Sequence, residues 1–248
     1  RDLFRDTFTV QFPNVGELEV YPNRDSINYI NIYDTPETKT MYRGTFRYKG
    51  WCETIDLMKQ LQLISEEPMD LRGKSYADMI AQLIGADEPS NIRQKVAKHL
   101  KMKEDAHALN ALEWLGLFSN EPVNREKDSP FEVTSDLMME KMKLGHDERD
   151  MVAMQHTFLV DYPGKGKEVI KSSMLVFGSP STDTSVARTV AIPAAIAVRL
   201  ILEGKINLQG VYRPVIPEIY EPVLEELEKN GIKLEEEFGL PLEENIKL

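Results

Sequence analysis

The first 50 residues carry the alternating apolar and polar positions that are typical of β-strands. Thr7 to Phe12 and Leu18 to Tyr21 are β-prone runs, and the segment from Pro13 to Gly16 predicts a hairpin turn between them. The run from Met41 to Lys49 also alternates. One of its faces is aromatic, with Tyr42, Phe46 and Tyr48, and the other is cationic, with Arg43, Thr45, Arg47 and Lys49. Residues 7–50 are therefore predicted to be extended.

Between about Gly50 and Leu144 the apolar spacing changes to the period of helices. Ser75 with Asp78 resembles a capping box at a helix start, and Gly85 is a typical residue at a helix end. Further helices are predicted to start at Ser90, Asp105 and Ser129, the last with Pro130 in its first turn. The pattern predicts a compact helical unit inserted between two β-regions.

Strand alternation returns after the helical region. One face of a second long strand carries Val152, Met154, His156, Phe158 and Val160. The segment from Tyr162 to Gly166 then predicts a hairpin turn into a partner strand from Glu168 to Gly178. An apolar helix is predicted with Pro193 in its first turn, and an amphipathic helix follows from about Pro217 to Asn230. The whole pattern predicts a fold of the α/β (α+β) class.

Composition and charge are those of an ordinary globular protein. The chain has 248 residues, enough for one large or two modest domains, and a net charge of -11. It has no basic stripe, so we expect neither a nucleic-acid surface nor a surface for anionic membranes. Much of the acidic charge follows Pro214, which leaves the rest of the chain close enough to neutral for a local anion site.

Cys52 is the single cysteine, so an intrachain disulfide is impossible and nothing indicates an oxidising compartment. We interpret it as a small buried hydrophobe rather than a reactive thiol. The longest apolar stretch, Val190 to Val198, is too short to span a bilayer, and the first residues show no signal-peptide pattern. These features predict a cytoplasmic protein.

Few catalytic signatures are present. No Gly-rich phosphate loop follows a strand, no Cys and His residues have metal-ligand spacing, and no nucleophile elbow occurs. His156 on an apolar strand face is interpreted as a core histidine rather than a catalytic base. We predict no catalytic residue and no metal site in this chain.

The stronger chemical signal is cationic. Arg43, Thr45 and Arg47 share a predicted strand face and lie close in sequence to Asn23 and Arg24. A guanidinium group binds a carboxylate through two parallel hydrogen bonds, and a hydroxyl adds another donor, so the cluster suits a multiply carboxylated ligand. The competing interpretation is that these arginines face solvent or pair with Asp and Glu, and that the segment around Asn23 is only a turn.

A second candidate for anion binding is the helix predicted to start at Pro193. The first N–H groups of a helix can receive a phosphate or a carboxylate. Ser185 and Thr189 precede this helix, and capping of the helix is the simpler role for them.

Several of these segments resemble one enzyme family. Tyr21-Pro-Asn-Arg-Asp-Ser26 and Arg43-Gly-Thr-Phe-Arg-Tyr-Lys-Gly50 resemble segments of saccharopine dehydrogenase, the glutamate-forming enzyme also called saccharopine reductase. Further similar segments follow in the family's order, within Glu113–Phe118, Glu148–Val152, Ser185–Ile206 and Glu218–Tyr220. The resemblance therefore extends over nearly the whole chain.

The resemblance implies a mixed β-sheet substrate and dimerisation domain, built from residues 1–50 and 145–248, with an all-helical insertion at residues 51–144. It implies that the Rossmann nucleotide-binding domain lies outside this chain, together with the family's acid-base Asp, Tyr and Cys positions. The implied reaction is the NAD- or NADP-dependent oxidation of saccharopine to glutamate and 2-aminoadipate 6-semialdehyde in lysine metabolism, with the cofactor bound mainly by the N-terminal domain. The expected partners are saccharopine and a second copy of the chain, with no nucleic acid and no membrane.

Substrate contacts can be carried over residue by residue. Arg24 matches the family arginine that holds a substrate carboxylate, and Thr45 matches the threonine that lines the same pocket. Asn23 and Arg43 are secondary candidates. Saccharopine has three carboxylates, which is a reason for an acidic protein to keep a cationic strand face.

The chain departs from the family before the late helix. Val186, Arg188 and Ala191 replace the family's usual Met, Lys and Gly, so the role of the loop at residues 178–191 stays open. Two other hypotheses remain: a non-catalytic dimerisation or ligand-binding module, and a sister dehydrogenase for another carboxylated secondary amine. The choice between NAD and NADP, the direction of the reaction and fusion to a lysine-ketoglutarate reductase are not readable from this sequence.

Overall fold

A computed structural model describes residues 3–180 and 182–246. Its first sheet is antiparallel and consists of β1 (Phe8–Phe12), β2 (Gly16–Pro22) and β3 (Gly44–Tyr48) in that order. The β1–β2 hairpin confirms the turn predicted at residues 13–16. One face of the two strands is apolar because of their alternation, and its buried residues are Phe12, Leu18 and Val20.

The segment between β2 and β3 differs from the prediction. It contains a short helix, α1 (Asn28–Ile32), whereas the sequence pattern predicted extended chain throughout. A helix of five residues is too short to show the 3.6-residue apolar period, which explains why the pattern gave no signal for it.

The predicted helical region is confirmed. Its elements are α2 (Trp51–Gln60), β4 (Met69–Asp70), α3 (Tyr76–Ile84), α4 (Ile92–His99), α5 (His107–Leu115), β5 (Lys127–Asp128) and α6 (Pro130–Lys141). The helices predicted to start at Ser90 and Asp105 each begin two residues later. The helices share one core, whose most deeply buried side chains include Leu61, Leu63, Met79, Ile80, Leu109, Leu112 and Leu117.

Two helix starts in this region follow directly from local sequence. Ser75 Oγ accepts a hydrogen bond from the Asp78 N–H at 3.1 Å, and the Asp78 carboxylate accepts one from the Ser75 N–H at 2.9 Å. Ser129 Oγ likewise accepts from the Glu132 N–H at 3.2 Å. Both predicted caps are confirmed, and Gly85 ends α3 in the left-handed conformation, with φ 68°.

The remaining long elements are a three-stranded sheet and two helices that share a core. The long hairpin of β6 (Met151–Tyr162) and β7 (Gly166–Phe177) confirms the predicted strand pair, and β8 (Glu235–Leu240) pairs with the other edge of β7. The helices are α7 (Ser185–Leu202) and α8 (Pro217–Lys229). Strand and helix residues meet in a core that includes Met174, Val176, Ile196, Leu200, Val223 and Leu227.

His156 lies outside that core. Val152 and Met154 pack against the core, but His156 and Phe158, farther along the same face of β6, are exposed and stack with ring centroids 6.1 Å apart. The prediction of a core histidine is therefore wrong, since the apolar alternation continues beyond the part of β6 that packs against the core.

Helix α7 is longer than predicted. It begins at Ser185, about two turns before Pro193, which lies inside the helix. Its 18 residues have a mean hydropathy of 1.7 and only 17% of them are buried, so by length and composition alone it could cross a membrane. The uninterrupted apolar run from Val190 to Val198 is thus only part of this apolar helix, and its length alone underestimated how long the helix is. The exposed large apolar residues of the helix form what we name the α7 stripe: Val186, Val190, Val198, Ile201 and Leu202.

The chain divides into two compact units. The first comprises the chain up to Ser26 together with Tyr42–Lys143, and the second comprises Ile27–Met41 and the chain from Leu144 onward. The first unit contains the β1–β3 sheet and helices α2–α6, and the second contains α1, the β6–β8 sheet, α7 and α8. The end of the predicted helical insertion thus lies at the border between the units, whereas the grouping of residues 1–50 with 145–248 stays a prediction.

Candidate functional site

The predicted substrate-binding residues lie at one end of the β2–β3 ladder. β2 ends at Pro22, which pairs with Gly44 at the start of β3. The turn at Asn23 and Arg24 follows immediately. The fold therefore brings four predicted residues to the same end of the sheet: Asn23, Arg24, Arg43 and Thr45.

This turn is tied to β3 through the backbone of Arg43. The Asn23 N–H donates to the Arg43 carbonyl oxygen at 2.9 Å, and the Arg43 N–H donates to Ser26 Oγ at 2.9 Å. Arg24 lies between these two attachments with φ 53°, in the left-handed region that non-glycine residues rarely adopt. Arg24 is exposed, so a turn fixed at both ends presents its side chain to solvent.

Gly44 allows the two strands to approach closely beside this turn. A Cβ atom on Gly44 would lie 2.3 Å from Cγ1 of Val20 and 2.9 Å from a ring carbon of Tyr42. Any side chain at this position would push β3 away from β2 next to Thr45. Close packing between β2 and β3 therefore explains why the Arg-Gly-Thr motif has a glycine at this position.

The strand face that carries Thr45 and Arg47 is not cationic throughout. In the β2–β3 register, Glu19 lies directly opposite Arg47, and Glu17 lies on the same face. The Lys49 ammonium group forms an ion pair with Glu17 at 2.8 Å. The positive charges predicted for this face of β3 thus lie next to acidic residues of β2, which alternation along one strand does not reveal.

The Glu19 side chain accepts hydrogen bonds at the N-terminus of α2. Its carboxylate accepts from the Gly50 N–H at 2.8 Å and from the Cys52 N–H at 3.1 Å. Burial of Cys52, and then its hydrogen bond to Glu19, raise the pKa of the thiol to about 11. Cys52 is 2% exposed and stays protonated at neutral pH, which confirms its interpretation as a buried hydrophobe.

Arg47 is held between two aromatic rings on the face of β3 that carries Thr45. Its guanidinium carbon lies 5.8 Å from the ring centroid of Tyr21 and 5.7 Å from that of Trp51, within the range of cation–π attraction. One guanidinium nitrogen donates to the Phe46 carbonyl oxygen at 2.8 Å. The sequence placed Arg47 on this face, but its packing against Trp51 depends on how α2 follows β3.

The N-terminus of α7 is occupied by the protein's own groups. Asp150 accepts from the Ser185 N–H at 2.6 Å, the Ser185 hydroxyl at 2.8 Å and the Val186 N–H at 3.0 Å, while Thr184 Oγ1 accepts from the Ala187 N–H at 3.0 Å. The burial of Asp150 would raise its pKa, but these hydrogen bonds outweigh burial and lower it. The residues present here do not fit a dinucleotide phosphate, because a carboxylate already fills the position.

The sequence analysis predicted that α7 has an N-terminal cap, but it assigned the cap to other residues. Ser185 and Thr189 were the expected capping residues, whereas Thr184 is the cap and Asp150, the residue before β6, supports it. The Thr189 hydroxyl instead donates to the Ser185 carbonyl oxygen at 2.9 Å, one turn back. Asp150 was missed because nothing in its local sequence indicates a partner 35 residues later.

The second unit also contains a cavity of about 970 Å³. It contains none of the four predicted substrate residues. Its wall is largely apolar and includes Val152, Met154, Met174, Leu227 and Ile232, and its rim carries Glu225, Glu228, Glu235 and Glu236 with Lys233. An acidic rim disfavours a ligand with several carboxylates, so the turn of Arg24 remains the better candidate for binding one.

Sequence comparisons identify one family. A family model described as the saccharopine dehydrogenase C-terminal domain matches residues 1–232. The chain is 33% identical over 216 residues to the mitochondrial alpha-aminoadipic semialdehyde synthase of Bos taurus, covering 84% of this chain and 23% of that protein. It is 33% identical over 204 residues to the NADP(+), L-glutamate-forming saccharopine dehydrogenase of Schizosaccharomyces pombe, covering 78% and 45% respectively.

A solved structure has the same fold. The apo histidine-tagged saccharopine dehydrogenase (L-Glu forming) from Saccharomyces cerevisiae matches with a TM-score of 0.85 and 27% identity, over 95% of this chain and 55% of that one. The chain thus spans about half the length of its fungal relatives. The match confirms the predicted fold class and the resemblance on which the substrate residues were chosen.

Proposed function

Because this chain belongs to the saccharopine dehydrogenase C-terminal domain family, we propose that it is the substrate-binding part of an NAD(P)-dependent oxidoreductase that cleaves saccharopine in lysine metabolism. The products would be glutamate and 2-aminoadipate 6-semialdehyde. The observation that carries the proposal is that the fixed turn of Arg24 and the start of β3, with Thr45, lie at the same end of the β2–β3 ladder. A guanidinium and a hydroxyl at one end of a sheet are suitable donors for a carboxylated substrate.

The proposed role is to bind and orient the substrate. Arg24 would hold one carboxylate through two parallel hydrogen bonds, and Thr45 would donate a third from the neighbouring strand. Asn23 and Arg43 form the base of this arrangement through their backbone contact. Orientation of this kind contributes to catalysis by holding the reacting carbon in place, while acid-base chemistry is left to groups outside this chain.

The cofactor is proposed only as NAD or NADP. The name of the Schizosaccharomyces pombe relative specifies NADP(+). The starts of α2 and α7 in this chain are filled by Glu19 and Asp150, which is consistent with binding of the dinucleotide mainly by another part of the enzyme. We assign no step of the reaction to a cofactor contact here.

Binding of saccharopine by residues 1–248 tests the proposal. Saccharopine is expected to raise the melting temperature more than glutamate or 2-aminoadipate, which have two carboxylates, and far more than lysine, which has one. At a concentration of about 100 times Kd the stabilisation would be about 2.7 kcal/mol. Differential scanning fluorimetry measures this order with the four ligands and, for comparison, with a second carboxylated secondary amine. A larger shift with another carboxylated secondary amine would favour a sister dehydrogenase, and no shift with any of them would contradict a substrate-binding role.

A homodimer is the proposed assembly, and the α7 stripe is its proposed contact surface. Val190 is 68% and Leu202 83% exposed, and apolar side chains this exposed on one helix are typical of an interface. Val190→Glu is expected to convert the dimer into a monomer at equal concentration, because it places a charge in the apolar contact. Light scattering after size-exclusion chromatography measures the mass.

The matched control for that experiment is Val211→Glu, since Val211 is an exposed valine outside the stripe. It should leave the dimer intact. A wild-type monomer, or a Val190→Glu dimer of unchanged stability, would contradict the proposed contact. Recovery of the wild type only in detergent would instead indicate that α7 faces a membrane.

A cytoplasmic location also stays a proposal. It rests on the single, buried Cys52, which gives no sign of an oxidising compartment. The name of the Bos taurus relative places that protein in mitochondria.

A further inference from the structure

The conformation of Arg24 requires support from its surroundings. With φ 53°, Arg24 occupies the left-handed region, which is unfavourable for a side chain with a Cβ atom. Residues persist in such conformations when neighbouring contacts hold them there, and they are frequent at ligand-binding positions. The contacts that hold Arg24 are therefore part of the site.

Two hydrogen bonds to a single residue provide this support. The Arg43 carbonyl oxygen receives the N–H of Asn23, the residue before Arg24, and the Arg43 N–H donates to the hydroxyl of Ser26, two residues after it. Both distances are 2.9 Å. The turn is thus fastened to the first residue before β3 on both sides of Arg24. Of these two hydrogen bonds, only the one to Ser26 depends on a side chain.

We infer that Ser26 is a positioning residue for substrate binding: its hydroxyl fixes the turn so that the Arg24 guanidinium is held in place for a carboxylate. This inference rests on the proposed function. Without the Ser26 hydroxyl, the turn would lose its side-chain attachment to Arg43 on the C-terminal side of Arg24, and the Arg24 side chain would be held less precisely. Ser26 itself would not touch the substrate.

The test compares Ser26→Ala, which removes the acceptor, with Ser26→Thr, which keeps it. Amide hydrogen exchange at Arg43 reports the contact directly, and isothermal titration with saccharopine reports its effect on binding. In Ser26→Ala, we expect exchange at Arg43 to accelerate and Kd to rise about tenfold, the effect of losing roughly one positioned hydrogen bond. Ser26→Thr should restore both values. The matched control is Ser65→Ala, since the Ser65 hydroxyl accepts from the Glu67 N–H at 3.3 Å in the same unit.

Three results would overturn the inference. Wild-type exchange at Arg43 in Ser26→Ala would show that the hydroxyl does not hold the turn. Faster exchange with an unchanged Kd would show that the attachment is structural and does not position Arg24. A Kd raised equally in Ser26→Thr and Ser26→Ala would attribute the effect to the substitution and not to the hydroxyl.

Failure of the proposed function is recognised separately. It would appear as absence of saccharopine affinity in the wild type, before any Ser26 variant is compared. That result would overturn the binding role of Ser26 together with the function, while the exchange experiment would still decide whether Ser26 holds the turn.

Discussion

Arg24→Ala is expected to weaken saccharopine binding by at least about 100-fold, because it removes two charge-assisted hydrogen bonds worth about 1.5 kcal/mol or more each. Isothermal titration of residues 1–248 with saccharopine measures the change. Arg24→Lys keeps the charge but loses the planar pair of donors, so an intermediate loss is expected. Stability should change little in either variant, since Arg24 is exposed.

Two further variants separate the side chain from the backbone of the turn. Arg24→Gly removes the guanidinium and also relieves the left-handed strain, so equal losses in the Ala and Gly variants would attribute binding to the side chain. Arg72→Ala is the matched control, because Arg72 is an exposed arginine of the same unit that pairs with Asp70 at 2.6 Å. An unchanged Kd in both Arg24 variants would remove Arg24 from the site.

Asp150→Ala is expected to lower the free energy of unfolding of the second unit by about 2–4 kcal/mol. It removes the acceptor of three hydrogen bonds at the start of α7 and leaves the hydroxyl and N–H of Ser185, which is 0% exposed, without that partner. Denaturant unfolding measures the loss. The control is Asp147→Ala, since the Asp147 side chain is 99% exposed, and its loss should be within the error of the measurement.

Asp150 should also make the free energy of unfolding depend on pH. Hydrogen bonds from Ser185 and Val186 lower the pKa of Asp150 in the folded chain, despite its partial burial. A lowered pKa means that the stabilisation is complete above the pKa of the unfolded chain, near 3.8, and is lost as the pH falls through the folded value. Between about pH 7 and about pH 3, the wild type should therefore lose more stability than Asp150→Ala. Parallel curves for the two proteins would contradict this origin of the acid sensitivity.

The most accurate sequence predictions concern short-range features. The capping box at Ser75 and the cap at Ser129 were readable because each donor and acceptor pair lies within four residues of chain. The start of α7 was misplaced for the opposite reason. Pro193 satisfied the rule for a first turn, while the carboxylate that actually supports the start comes from Asp150, on the far side of the β6–β7 hairpin.

The candidate site shows the same limit. The resemblance selected Arg24 and Thr45, and the sequence pattern placed Thr45 and Arg47 on one strand face. The sequence indicated a turn around Asn23, but it did not show that Arg24 is left-handed or that Ser26 is attached to Arg43, a contact that depends on how the chain returns into β3. The acidic partner strand with Glu17 and Glu19 was hidden for the same reason.

By itself, the sequence determined the class of fold, most of its strands and helices, and, through its motifs, the family and the arginine expected to bind a carboxylate. These properties are carried by apolar periodicity and by residues within a few positions of one another. Only the tertiary structure decided that Glu19 accepts hydrogen bonds at the N-terminus of α2 and Asp150 at that of α7. It also decided that Ser26 holds the turn of Arg24 by a hydrogen bond to Arg43. Each of these contacts joins residues 17 to 35 positions apart. Their formation depends on strand register and on the packing of helix ends, which no local pattern encodes.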